Sequence, residues 1–291
     1  MRLNWRAVCL ITVAITGLVP VGAAATASAG GGTAHKAKGC FTVTATIPVG
    51  HVPVAVAANP KTNTSYVANF GSSTVSVISG QTNTVTATVH VGPAGTEPIG
   101  VAVNPKTNTA YVTSVIRKVS VISGETNTVT ATIPVGRFPD EIAVNPKTNT
   151  IYVINHVTLS VISGETNTVT ATIHVGLFTG GVAVNPKTNT IYVTVRNTVL
   201  VISGETNTVT ATIHVGQLPQ GVAVDPKTNT IYVANYGVNT VSVISGRTNT
   251  VTATIPVGTG PVGVAVNPKT HIAYVTNSVS HTVSVLAPCP K

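Results

Sequence analysis

The chain has 291 residues, 43% of them hydrophobic and only 8% charged, with 16 Lys and Arg against 7 Asp and Glu. It is long enough to bury a core, yet so poor in ionisable groups that acid–base catalysis has few residues to draw on. The formal charge of +9 allows attraction to anionic surfaces, but basic residues are not interleaved with exposed aromatics, which argues against a nucleic-acid partner.

Arg2 and Arg6 precede an apolar run from Ala7 to Val21, and small residues follow, ending in ATASA at 25–29. The run is about fifteen residues, short of the roughly twenty that a spanning helix needs, so 1–29 reads as a secretory signal cleaved after Ala29. Cleavage removes Trp5, Cys9 and two arginines, lowers the formal charge from +9 to +7, and leaves Cys40 and Cys289. Residues 30–39, GGGTAHKAKG, are Gly-rich and basic and predict a flexible lead-in. The product is expected to be secreted or envelope-associated, without a membrane anchor.

From residue 40 onward the chain repeats itself. ISGETNTVTATIHVG stands at 162–176 and again at 202–216, near copies lie at 78–92, 122–136 and 244–258, and a clipped version, FTVTATIPVG, occupies 41–50. The anchor NPKTN recurs at 59, 104, 145 and 185, as DPKTN at 225 and NPKTH at 267. Six anchors imply six units of about forty residues. Within the fifth unit, GVAV (221–224), TIYVAN (230–235), TVSVIS (240–245) and TVTATIPV (250–257) are short β-branched segments bounded by turn residues, and each predicts a strand, A to D. Four strands per unit at this period predict an all-β, six-bladed β-propeller of four-stranded antiparallel blades, a single domain over 40–291.

The chain starts with a lone D segment at 41–49 and ends with A, B and C segments at 262–286. N-terminal strand pairing with the C-terminal blade is therefore expected to close the ring and remove its open edge. The same alignment puts Cys40 and Cys289 where other blades have their C–D turn. Export favours a disulfide there, contributing about 4 to 5 kcal/mol at most by loop closure; two free thiols are the other reading.

The B strands read YVAN (66–69), YVTS (111–114), YVIN (152–155), YVTV (192–195), YVAN (232–235) and YVTN (274–277). With GVAVNP before them and TVSVIS and TVTATI after, residues 41–287 resemble the YVTN-type β-propeller repeat proteins, the YncE-like group of exported bacterial and archaeal proteins. Many members are seven-bladed, whereas this chain counts six. The resemblance implies an envelope or extracellular setting and a binding or structural role, and brings no agreed catalytic residues. Ser114 and Val195 depart from the family's Asn, which implies altered B–C loops in blades two and four.

The A–B and C–D turns are nearly invariant, whereas the D–A loops vary, reading HVP, PAGTEP, RFPDE, LFTG, QLPQ and TGP. The B–C loops are trimmed in blades two to four. These three blades carry Glu97, Arg117, Lys118, Arg137, Asp140, Glu141, His156 and Arg196. Variable loops on a repeated scaffold are where binding concentrates, so this sector is the candidate recognition site for an unknown protein or anionic envelope polymer; drift on solvent loops is the alternative. On the opposite face Lys61, Lys106, Lys147, Lys187, Lys227 and Lys269 predict a ring of positive charge that could attract anionic polymer, or that is simply copied with its repeat.

Other motifs carry less. GTGPVG at 258–263 lacks the helix that a dinucleotide site needs. His90, His174 and His214 occupy equivalent positions on three outer strands and are too dispersed to share a metal. Asp140, Glu141 and His156 are the one cluster that would suit an exported lyase or hydrolase, an alternative resting on fold analogy. No cofactor or metal is implied, and a monomer is expected.

Overall fold

The computed structural model describes residues 45–287. The expected signal, lead-in and both mature cysteines lie outside the described residues. Blade one is built from β1 (Pro53–Asn59), β2 (Thr64–Asn69), β3 (Thr74–Ser79) and β4 (Thr84–His90), and blade two from β5 (Pro98–Asn104), β6 (Thr109–Ser114), β7 (Lys118–Ser123) and β8 (Thr128–Pro134). Blade three holds β9 (Pro139–Asn145), β10 (Thr150–Asn155), β11 (Thr158–Ser163) and β12 (Thr168–His174), and blade four β13 (Thr179–Asn185), β14 (Thr190–Val195), β15 (Thr198–Ser203) and β16 (Thr208–His214). Blade five holds β17 (Pro219–Asp225), β18 (Thr230–Asn235), β19 (Thr240–Ser245) and β20 (Thr250–Pro256), and blade six β21 (Pro261–Asn267), β22 (Ile272–Asn277) and β23 (Thr282–Leu286). Each blade is an antiparallel meander in chain order, the six-bladed propeller arrangement that the repeats predict.

The repeated letters have repeated structural duties. In the A–B turn the first Asn accepts the backbone N–H two residues on, as Asn104 does from Lys106 at 3.0 Å, and the last Asn takes a left-handed backbone, as Asn108 does at φ 54°. Asn reaches that region at lower cost than most residues. In the C–D turn Ser123 accepts from the N–H groups of Glu125 and Thr126. The central Thr of TVTAT sits in a bulge opposite the C strand; Thr130, Thr170 and Thr210 each donate to the carbonyl of Val121, Val161 or Val201 at 3.3, 3.2 and 3.1 Å.

Among the described residues five interblade cores hold the blades together. In the core between blades three and four, Tyr152, Leu159 and Val161 of the leading blade meet Val182, Ile191, Val193 and Ile202 of the following one. The same positions recur between the other successive blades. A second device clasps the A–B turns. Asn59, Asn104, Asn145 and Asn185 donate through Nδ2 to Oδ1 of Asn108, Asn149, Asn189 and Asn229 in the next blade, at 2.7 to 2.8 Å. Between blades five and six the clasp is made by Asp225 and His271.

The expected closing strand is not seen among the described residues. Residues 45–49 have no strand conformation and the sixth sheet has three strands; residues 41–44 lie outside the described residues. The D-strand letters are present, but a strand needs a neighbour to pair with, and that partnership is not written in periodicity.

Candidate functional site

The variable face is built from the loops entering each A strand and the loops leaving each B strand. One backbone hydrogen bond joins the two in most blades: Phe70 to Val52, Val115 to Glu97, Arg196 to Phe178, Tyr236 to Leu218 and Ser278 to Gly260, each N–H donating to the earlier carbonyl. The bond brings the A-strand entrance and the B-strand exit side by side, so side chains from both loops share one rim.

Both loops bend sharply, and the bend falls on side chains that dislike it. Val52, Glu97, Phe138, Phe178 and Leu218 hold φ between 48° and 64° at the A-strand entrance, and Arg117, His156 and Arg196 hold 51° to 63° after the B strand. In blades three and four the β10–β11 and β14–β15 connections have two residues each, so His156 and Arg196 occupy positions that glycine would take with less strain. The strained residues pair. The Phe138 ring stands edge-on to His156, centroids 5.9 Å apart and planes at 68°, and the Arg196 guanidinium lies 5.5 Å from the centre of the Phe178 ring. All four side chains are exposed.

Beside the second pair lies a shallow groove of about 620 Å³ at the boundary of blades three and four, lined by Val157, His174, Val175, Leu177, Val195, Arg196 and Leu200 among others. Its lining is mostly apolar, with Arg196, His174 and Thr198 as its polar side chains. Thr179 donates to the carbonyl of His156 at 3.1 Å and ties the two blades' loops together here.

The eight loop residues singled out by sequence are spread over blades two to four. Arg117 and Lys118 are exposed on blade two, and Glu97 is half-buried at the entrance to β5. Arg137 is exposed next to Phe138. Asp140 and Glu141 belong to β9 itself. They fill the register shift between Pro139 opposite Asn155 and Ile142 opposite Val153. Other blades have Gly100, Gly181 and Gly221 at the Glu141 position, where the inner strands run close together: a Cβ on Gly221 would meet the Val262 carbonyl at 2.4 Å. The Asp140 carbonyl accepts from Thr113 of blade two at 2.8 Å. The acidic pair thus sits on the innermost strand, while the His156 ring turns to Phe138. Among the described residues no group of three or more His, Cys, Asp and Glu is placed to hold a metal ion.

Sequence reasoning missed Phe138, Phe178, Leu177 and Leu218. A signal was available: the whole chain has four Phe, and two of them stand in the variable loops RF and LF. The six lysines of the opposite face are all exposed, each in the A–B turn whose Asn or Asp accepts its N–H.

No family model matches the chain, and no curated protein matches it. Among solved structures, the Kuenenia stuttgartiensis hydrazine synthase superposes with a TM-score of 0.51 at 17% identity, covering 87% of this chain and 100% of that one. A likeness at this identity speaks for the fold alone: the chain is a six-bladed β-propeller repeat protein.

Proposed function

We propose that the protein is an exported propeller scaffold of the YVTN type that holds a partner through the D–A and B–C loops of blades two to four. The observation that carries this reading is the strained quartet Phe138, His156, Phe178 and Arg196. Bulky residues in the left-handed region cost on the order of 1 kcal/mol or more each, and here the cost is met at four positions that present aromatic and cationic groups to solvent in two adjacent blades. Exposed aromatic and Arg side chains are the types that dominate binding energy at interfaces. The partner this chemistry suits is a polypeptide presenting acidic and apolar side chains together, its carboxylates meeting Arg196 and Arg137 and its apolar groups entering the groove between blades three and four.

The test is retention of the purified mature protein on envelopes of its producing cells. His156→Gly with Arg196→Gly removes the imidazole and the guanidinium while relaxing the backbone, so folding is preserved. Retention that drops at least tenfold in the double variant, and that protease treatment of the envelopes abolishes, supports the reading; retention equal to wild type overturns it.

The alternative of a secreted lyase or hydrolase is supported by the Asp140–Glu141 bulge, which lies one register step from the turn bearing His156. Its separate mark is turnover of a soluble substrate that Asp140→Asn or Glu141→Gln abolishes.

A further inference from the structure

Six blades joined in a row have five internal interfaces, and the two flanks left over are the two halves of a sixth. The inner strands β1 and β21 do not pack on each other as the other neighbouring inner strands do. On blade six the leading half consists of Tyr274, Val283 and Val285, which are 41%, 56% and 59% exposed, whereas their counterparts Tyr152, Leu159 and Val161 are 0%, 0% and 3% exposed. On blade one the following half is centred on Val56, 68% exposed, where Ile142 and Val182 are 8% exposed in the same position. A contiguous apolar strand face of this kind marks an interaction site.

Among the described residues the turn positions on these flanks make no interblade clasp, although Asn267 still accepts the Lys269 N–H. Asn267 of blade six is exposed, as is Asn63 of blade one. In the other blades these positions form the turn clasp, with Asn104 donating to Asn149 and Asn145 donating to Asn189. Among the described residues the edge of β23 has no neighbour, since the sixth sheet stops at three strands. Residues 45–49, with the D-strand letters ATIPV, lead into blade one and pair with nothing in a ladder. Among the described residues one flank therefore lacks a fourth strand, an Asn acceptor and a Val knob, and the other flank offers the D-strand letters of 45–49, Asn63 and Val56.

We infer that the blade-six flank of one molecule docks on the blade-one flank of a second copy, reproducing between chains the interface that each chain builds five times within itself. The occupant's chemistry is defined: an apolar A-strand face, an αL Asn at position 63 and the D-strand letters of 45–49, all of which precede or belong to blade one. Because the two halves differ, the contact is head-to-tail, and every added copy leaves one flank of each kind open. This inference does not depend on what the loop face binds.

The test is sedimentation of the wild type and of two flank variants, Val56→Arg and Tyr274→Arg, both at exposed positions where the melting profile is expected to match wild type. The wild type should gain mass with concentration past the dimer. Each variant alone should stay monomeric at the same concentrations. An equimolar mixture should form a one-to-one dimer and stop there, because Val56→Arg keeps the blade-six flank and Tyr274→Arg keeps the blade-one flank. A wild type monomeric at every soluble concentration overturns the inference and favours closure within one chain. Variants that still self-associate, or a mixture that stays monomeric, overturn it as well.

Discussion

Asp225 and His271 meet at 2.6 Å across the boundary of blades five and six, at the one A–B turn clasp in which both partners differ from Asn. The carboxylate is fully buried and the ring is about one-third exposed. Burial pushes the Asp225 carboxyl upward. The hydrogen bonds from His271, from the backbone N–H of Lys227 and from Thr228, with the attraction of the His271 ring, together outweigh burial and hold it below the usual carboxylate range. Where the other clasps join two amides, this one joins a carboxylate to an imidazole.

Two consequences are measurable. Because the folded carboxyl titrates below its unfolded value of about 3.9, the stability it contributes is complete above that pH and is lost as pH falls through the folded value. His271→Ala should cost about 1 to 3 kcal/mol at neutral pH, the range for a buried acceptor losing its partner. Asp225→Asn with His271→Asn should recover most of that and flatten the acid limb of the denaturant midpoint plotted against pH. An unchanged acid limb in the double variant would show that other carboxylates control it.

The buried tyrosines set the alkaline limit. Burial raises Tyr152 to about 12, and raises Tyr66, Tyr111, Tyr192 and Tyr232 as well. A phenol held above its unfolded value of about 10 contributes stability that is fully present below that pH and is lost as pH rises through the folded value. Thermal midpoints should therefore hold to about pH 10 and fall beyond it, in step with phenolate absorbance. Phenolate absorbance that saturates while the fold persists would show that the interblade cores admit solvent.

Backbone strain at the loop face makes an unusual prediction about stability. His156→Gly and Arg196→Gly, each at a positive φ in a two-residue connection, should each stabilise the fold by about 0.5 to 1 kcal/mol. Denaturant midpoints read this directly. A loss of stability instead would mean that the ring contacts to Phe138 and Phe178 outweigh the strain.

Lys106, Lys147 and Lys187 are exposed in turns whose geometry depends on backbone groups. Their joint replacement by Gln should move stability by less than about 0.5 kcal/mol per site. If the lysine face attracts anionic polymer, the same variant should lose the salt-sensitive part of envelope retention; a salt profile identical to wild type assigns these lysines to the turn alone.

Strand positions in the fifth unit were legible almost to the residue: segments 230–235 and 240–245 are β18 and β19. They could be read because the turn letters state local requirements, an Asx acceptor and an αL residue, that hold wherever the unit stands. The Asn that ends most B strands proved equally local. Asn155 donates to Ser160 at 2.8 Å, and Gly136 lies so close that a Cβ there would sit 2.7 Å from the Asn155 Cβ. What was hidden depends on neighbours distant in sequence. The letters DPKTN and NPKTH were visible as changes, but not that Asp225 and His271 touch. Nor could loop composition tell that Phe138 faces His156, or that Asp140 belongs to a strand instead of a loop.

The interblade cores have one further consequence. Residues 162–176 and 202–216 are letter for letter the same, and the core between blades three and four uses the same positions as the core between blades four and five. Excising the forty residues from one copy of that string to the next leaves a junction whose sequence is unchanged and sets equivalent apolar positions against each other. A change of length by one whole blade therefore keeps the apolar positions matched across the new junction, at the cost of blade-specific contacts such as that of Thr179 with the His156 carbonyl.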